Sequence, residues 1–437
     1  MTAPHSSQPP PLTSQQWAWR WRVLISTYIG YTGYYLTRKV FTICKTSIAA
    51  DMGWELSDTG HIWAAFLLAY MLGQFINSFV GRKWGPRLIL LIGLASSIAI
   101  NLVFGITNSY ATFLVFMFVN GLVQATGWPG VVGGISQWLR GQERGTFMGV
   151  WSTSYLVGNL MVKFLGGYLL GAYGWRYAFF GCTVLSMAVW WLLYFWQRNK
   201  PEDVGLESVV QRTGEDMRAV RAVESDTVTF REYLAILTNP VILTMGCSYF
   251  CIKFMRYALD SWLPSFLNIQ GMGVDTASYA SSIFDMAGLA GAVVAGLLLD
   301  RVFRGNWALL CFLMGLGVIG GYLSVIYLAT TPMTVALCFG IVGFMIYGPD
   351  TLICGAASID VAGEKNGVAV AGIVNGIGSI GPVVQEEVIT WLMRGDDHQG
   401  ICNTNRLALS MSIAFVCLML PVMLRLRIAH RKHREAG

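Results

Sequence analysis

Residues 30–45 read GYTGYYLTRKVFTICK, an aromatic and apolar stretch that nevertheless carries Arg38, Lys39 and Lys45. With its flanks it is long enough to cross a bilayer. A guanidinium near the bilayer centre costs roughly 2.5–3.5 kcal/mol even on the mild insertion scales. Such a residue is kept only with a partner, a water-filled cavity or an anionic ligand. The pattern returns 218 residues after Arg38, where Lys253 and Arg256 lie in YFCIKFMRYALDSW (249–262). Two cationic centres at matching places in two halves point to a site between the halves, suited to a doubly charged anion.

Composition supports the membrane reading. Of 437 residues, 54% are hydrophobic and only 12% charged, against about 25% charged in soluble domains. Roughly twelve apolar runs approach or exceed the length a helix needs to cross, and the ten-residue alternating segments of an outer-membrane barrel are absent. The expected fold class is therefore an all-α integral membrane protein with twelve transmembrane helices. The net charge of +6 falls mostly in short loops and tails, where it sets topology, so no nucleic-acid partner is expected. The nine cysteines lie almost all inside spans without CxxC spacing, so neither a disulfide frame nor a metal site is indicated. There is no ATP-binding motif or catalytic triad, so no cofactor and no enzyme activity are expected. The polar, Pro/Ser-rich start of the chain reads as disordered, with no cleavable signal.

The expected spans are 20–48, 58–80, 86–107, 110–138, 144–172 and 175–197, then 236–268, 275–299, 306–329, 332–359, 366–393 and 403–425. This divides the chain into a disordered tail (1–19), a six-helix half (20–197), a polar linker (198–235), a second six-helix half (236–427) and a basic tail (428–437). Basic residues concentrate on one side, at Arg20, Arg22, Arg82, Lys83, Arg87, Arg140, Arg144, Arg301, Arg304 and the C-terminal tail, which places both termini in the cytoplasm. Further landmarks keep nearly the same offset: Arg82 and Arg301, Pro129 and Pro349, and Glu143 and Glu364 lie 219, 220 and 221 residues apart. Parallel repeats of this kind place substrate near the midplane and work by rocking, which leads to the major facilitator fold of two pseudo-symmetric six-helix halves.

The planar fork of Arg38 and of Arg256 fits phosphate or carboxylate oxygens; a structural ion pair is the competing reading for either one. Lys45, two turns along the same face from Arg38, and Lys253, three residues before Arg256, share their faces. Lys39 lies about 100° round the helix and is assigned to charge pairing. Asp285 is its counterpart, expected to pair with Lys39, Lys45 or Arg256 and to release its cation when phosphate arrives, with a static pair as the alternative. Asp260 and Asp350 are further intramembrane carboxylates, while Glu386 and Glu387 are expected near the outer surface. The tyrosines near these cations, including Tyr35, Tyr70 and Tyr155, offer hydroxyls to a phosphate or sugar as well as ordinary packing. The Gly-rich GVVGG, LGG and VNGIGSIG read as helix-contact surfaces, and Asn375 in the last of these joins the substrate-binding set.

At YYLTRK, NGLVQATGWPG with its following ERG, FDMAGLAG…DRVFRGN, YGPDTL and GIGSIG, the chain resembles the organophosphate:phosphate antiporter family of the major facilitator superfamily. In motif it looks closest to the animal sugar-phosphate exchangers. The resemblance implies phosphate binding by Arg38 and Arg256, an acidic residue at Asp285 and binding-site tyrosines at Tyr35 and Tyr70. Gln74 stands where the bacterial transporters have a Lys, and Tyr155 where the glycerol-3-phosphate transporter has a His. The expected function is exchange of a phosphorylated small molecule, a sugar phosphate or glycerol phosphate, for inorganic phosphate by alternating access. The protein is expected to act as a monomer among membrane lipid, in a bacterial inner membrane. The alternatives are a membrane sugar-phosphate sensor and a proton-coupled organic-anion symporter.

Overall fold

The computed structural model describes residues 12–139, 151, 153–207, 238–354 and 356–435; the side chains of 74–84, 128–129, 132–133, 136, 354, 356, 358–359, 362–369, 371–372 and 426–435 are outside the description. All regular structure among the described residues is helical. Helices α1 (Ser14–Met52), α2 (Leu56–Trp84) and α3 (Pro86–Ile106) are continuous, and the fourth span consists of α4 (Tyr110–Gln124) and α5 (Gly127–Ser136). The fifth contains α6 (Ser154–Met161), a π turn (Val162–Gly166) and α7 (Gly167–Tyr173), and the sixth is α8 (Trp175–Trp196). The second set is α9 (Pro240–Ile269), α10 (Val274–Arg301), α11 (Trp307–Tyr327), α12 (Pro332–Cys354), α13 (Ala356–Leu392) and α14 (Asp397–Glu435).

Among the described residues, seven helices are long and apolar enough to cross a membrane: α3, α6 with α7, α8, α10, α11, α12 and α14. Helices α1 and α9, which carry the cations, are absent from that set. Their mean hydropathy is lowered by the residues that make them interesting.

The N-terminal boundary differs from expectation. The disordered tail was expected to reach residue 19, but α1 already begins at Ser14. The reason is a reciprocal cap: the Thr13 N–H donates to Gln16 Oε1 at 3.0 Å, and the Gln16 N–H to Thr13 Oγ1 at 3.2 Å. Gln16 Nε2 also donates to the Glu207 carbonyl at 3.0 Å. Residues 1–11 and 208–237, with most of the expected linker, lie outside the described residues.

The chain divides into two compact units. Unit 1 is Met1–Val40, Leu68–Gly166 and Arg176–Thr227; unit 2 is Phe41–Leu67, Gly167–Trp175 and Val228–Gly437. Unit 1 has its core around Leu24, Tyr31, Tyr34, Leu94, Ile135, Trp151 and Leu193. Small residues bring its helices together: a side chain added at Gly30 would meet Leu193, and one at Gly33 would meet Val189, so α1 lies directly on α8. In unit 2, Leu56, Trp262, Phe266, Ile389 and Met393 form one core cluster. Gly60 lies against Thr390 and Gly167 against Ser278 without room for a side chain. Those contacts attach segments 41–67 and 167–175 to the C-terminal helices.

Candidate functional site

In unit 1 the site is built on one face of α1. An adjacent face of the helix is held by a buried polar network. The Tyr34 hydroxyl donates to the Leu90 carbonyl at 2.7 Å, and Gln124 Nε2 reaches Thr37 Oγ1 at 2.9 Å and Ser97 Oγ at 3.0 Å. Asn101 Nδ2 donates to the Thr37 carbonyl at 2.8 Å. With Tyr34 and Thr37 so fixed, helical spacing sends Tyr35 and Arg38, one turn apart, to another face. Arg38 is only 4% exposed. Its guanidinium lies over the Tyr70 ring at 4.3 Å and near the Tyr35 ring at 5.3 Å, positions in which a flat cation is stabilised by the ring face. Gly158 approaches the Tyr35 Cβ so closely that a side chain there would overlap it, and the Tyr155 ring lies 6.1 Å from the Tyr35 ring. Lys39 is buried as well. The Gln74 side chain lies outside the described residues.

In unit 2, α9 carries the corresponding cations. Lys253 Nζ donates to Asn375 Oδ1 at 2.7 Å and to Ser379 Oγ at 3.0 Å, and lies 4.9 Å from the Tyr249 ring centre. Asn375 and Ser379 are one turn apart on α13. The glycines of GIGSIG set the approach: Gly378 faces Tyr249, and a side chain at Gly381 would come within 2.8 Å of the Phe250 carbonyl oxygen. One turn along α9, Arg256 Nη1 donates to Asp350 Oδ2 at 2.6 Å. The guanidinium lies over Tyr347 at 4.5 Å, one turn before Asp350 on α12. The Tyr347 hydroxyl donates to Asp285 Oδ1 at 3.3 Å, and Asp285 is buried on α10. Gly288 on α10 leaves no room for more than hydrogen against the Tyr347 ring.

Lys45 is in a different environment. Although it was expected to line the Arg38 cavity, it is fully enclosed. Its Nζ donates to Glu386 Oε1 at 2.6 Å, and both side chains are 0% exposed. The other carboxylate oxygen accepts from Ser261 Oγ at 2.9 Å and Gln385 Nε2 at 3.1 Å. The Lys45 ammonium also lies 3.9 Å from the Trp262 ring centre. α13 turns Glu386 into the protein interior, where a buried lysine holds it. Its neighbour Glu387 is half exposed and meets His61 Nδ1 at 3.1 Å.

Residues 27–385 match the Major Facilitator Superfamily. The chain belongs to that superfamily. It is an all-helical integral membrane transporter of the major facilitator fold, and it is not an enzyme. The "Probable hexose phosphate transport protein" of Chlamydia pneumoniae is 29% identical over 363 residues, covering 79% of each chain. The "Membrane sensor protein UhpC" of Salmonella typhimurium is 28% identical, covering 82% of this chain and 81% of its own. "Sugar phosphate exchanger 3" of Mus musculus is 26% identical, covering 95% and 94%. Among solved structures, an inward-facing, occupied bacterial homologue of the lysosomal transporter Spinster superposes with a TM-score of 0.71 at 15% identity over 97% of this chain and 96% of its own. That likeness concerns the fold alone.

The structure therefore groups Arg38 with Tyr35, Tyr70 and Tyr155, and Lys253 with Asn375. Asp350, Tyr347, Ser379 and Glu386 were not assigned to the site from sequence. Asp350 had been visible as an intramembrane carboxylate in YGPD, and its partner was not. Among the described residues no group of three His, Cys, Asp or Glu side chains is placed to hold a metal ion.

Proposed function

We propose that this protein exchanges a phosphorylated metabolite, a sugar phosphate or glycerol phosphate, for inorganic phosphate by alternating access. The observation that carries the reading is the pair of repeat-related arginines, each buried or nearly so and each with its guanidinium on a tyrosine ring. An arginine held by its face keeps a planar, charged fork, which matches two phosphate oxygens better than a lysine would. Lys253, Asn375, Tyr35, Tyr70, Tyr155 and Gln74 complete the proposed binding set, with Lys39 and Asp285 in charge pairing. The names of the Chlamydia and mouse relatives, which specify hexose phosphate transport and sugar phosphate exchange, support the same substrate class. In this reading the sequence halves 20–197 and 236–427 are the repeat-related parts, the membrane is a bacterial inner membrane with both termini cytoplasmic, and the working unit is a monomer.

The test is uptake of labelled phosphate into proteoliposomes, with and without phosphate inside, for the wild type and Arg256→Ala. Uptake that requires internal phosphate and disappears in the variant is expected. Uptake driven by a pH gradient without internal phosphate would replace exchange with proton-coupled symport. A second reading, a membrane sensor of sugar phosphates, is favoured by the name of the Salmonella relative. It predicts ligand-induced thermal stabilisation of the wild type with no exchange at all.

A further inference from the structure

We infer that Asp350 is a built-in competitor of the substrate for Arg256, so that it sets the affinity of the phosphate site. The inference rests on the phosphate reading above.

Four observations converge on it. First, the contact is short and charge-assisted, 2.6 Å from Arg256 Nη1 to Asp350 Oδ2, so Asp350 occupies an edge that a phosphate oxygen would also take. Second, Asp350 is incompletely satisfied. Its Oδ1 is buried and has no hydrogen-bond partner. A carboxylate has about four acceptor sites, and a buried acceptor left without a donor is destabilising. Third, the pair is reachable: the Arg256 side chain is 16% exposed, against 7% for Asp350. Fourth, the guanidinium is supported from below by Tyr347 at 4.5 Å, on the same helix and one turn from Asp350. A cation held by its face can change the partner at its edge without leaving its place. Pro349, inside α12 and directly before Asp350, removes one N–H from the helix ladder at this point and loosens the backbone that carries the carboxylate.

The physical consequence is an exchange of anions. In the empty site the aspartate neutralises Arg256. A dianionic phosphoryl group offers two oxygens in bidentate geometry where Asp350 uses one, and its charge repels the carboxylate from the guanidinium. The aspartate therefore lowers affinity for every phosphorylated ligand by a common factor, and it supplies the neutral arginine environment to which the site returns on release.

The experiment compares wild type, Asp350→Asn and Asp350→Glu as full-length purified protein. Binding of inorganic phosphate is measured by equilibrium binding and exchange kinetics in proteoliposomes. Asp350→Asn is expected to bind phosphate about tenfold more tightly, with KM and kcat both lowered because release slows. Asp350→Glu restores the competing charge and is expected to move KM back toward wild type. If a folded Asp350→Asn binds phosphate with unchanged or weaker affinity, the aspartate is a structural anchor and the inference is overturned while the phosphate reading stands. If the wild type binds neither phosphate, glycerol phosphate nor glucose 6-phosphate, both fail together. Should Asp350→Asn not fold, the wild type decides by infrared difference spectroscopy. Phosphate addition is expected to change a carboxylate stretching band, and a spectrum without carboxylate bands overturns the inference.

Discussion

Two ion pairs within unit 2 have the same short separation, 2.6 Å, and opposite character. Lys45–Glu386 is sealed, with both side chains at 0% exposure and both carboxylate oxygens engaged by Lys45, Ser261 and Gln385. Arg256–Asp350 is reachable, and one carboxylate oxygen has no donor. Distance alone does not separate a structural pair from one that can be exchanged. The difference lies in whether the remaining hydrogen-bonding capacity of the acid is filled and whether another anion can reach the cation. Lys45–Glu386 meets the demands of burial, since desolvation of two charges is offset only by good geometry and additional hydrogen bonds. Arg256–Asp350 leaves part of that demand open.

The sharpest way to break the comparison is to remove one member of the sealed pair. Lys45→Met leaves the Glu386 charge buried without its cation, and a loss of about 3–5 kcal/mol of stability is expected. Thermal unfolding in detergent would read this, and Lys45→Met/Glu386→Leu is expected to recover most of it because both charges are then gone. A single variant that unfolds at the wild-type temperature would show that the pair is not the structural member. At the reachable pair, Arg256→Lys keeps the charge and loses the fork. It is expected to weaken phosphate binding about tenfold, roughly 1.4 kcal/mol, with little change in unfolding temperature. Equilibrium binding beside the melting curve checks this, and equal loss in both would merge the two classes of pair. The smallest effect is expected at His61–Glu387, where the side chains are 30% and 51% exposed. Glu387→Gln should alter stability by less than about 1 kcal/mol, and a larger shift would mean that exposure is a poor guide to the role of these pairs.

Much of the architecture was legible without coordinates, because a bilayer requires long apolar helices whose backbones satisfy themselves. The glycine pattern was also readable. VNGIGSIG was expected to be a contact surface, and Gly378 and Gly381 are the points where α13 meets α9. Hydropathy by itself did not pick out α1 and α9 as spans, since those helices combine the membrane crossing with the cations. The repeat spacing nevertheless singled out Arg38 and Arg256. The choice of acid for each base was less accessible. Asp285 attracted attention from the family resemblance, while Asp350 meets Arg256 across 94 residues of sequence and Glu386 meets Lys45 across 341.

The start of α1 shows the same distinction on a smaller scale. Polar composition suggested disorder to residue 19, yet two short-range hydrogen bonds between Thr13 and Gln16 begin the helix at Ser14. A local cap can outweigh composition because it supplies partners for backbone N–H groups that the first helical turn otherwise leaves open.

The sequence by itself determined the helical membrane class, the recurrence of the cationic pattern and the type of anion that pattern suits. Those properties follow from composition, period and residue chemistry, which are carried along the chain. Only the tertiary structure decided that Lys45 is enclosed, that Arg256 shares its edge with Asp350 and that Lys253 rests on Asn375 and Ser379. Ion pairing depends on angstrom-scale separation and on desolvation, and both are set by how distant helices pack.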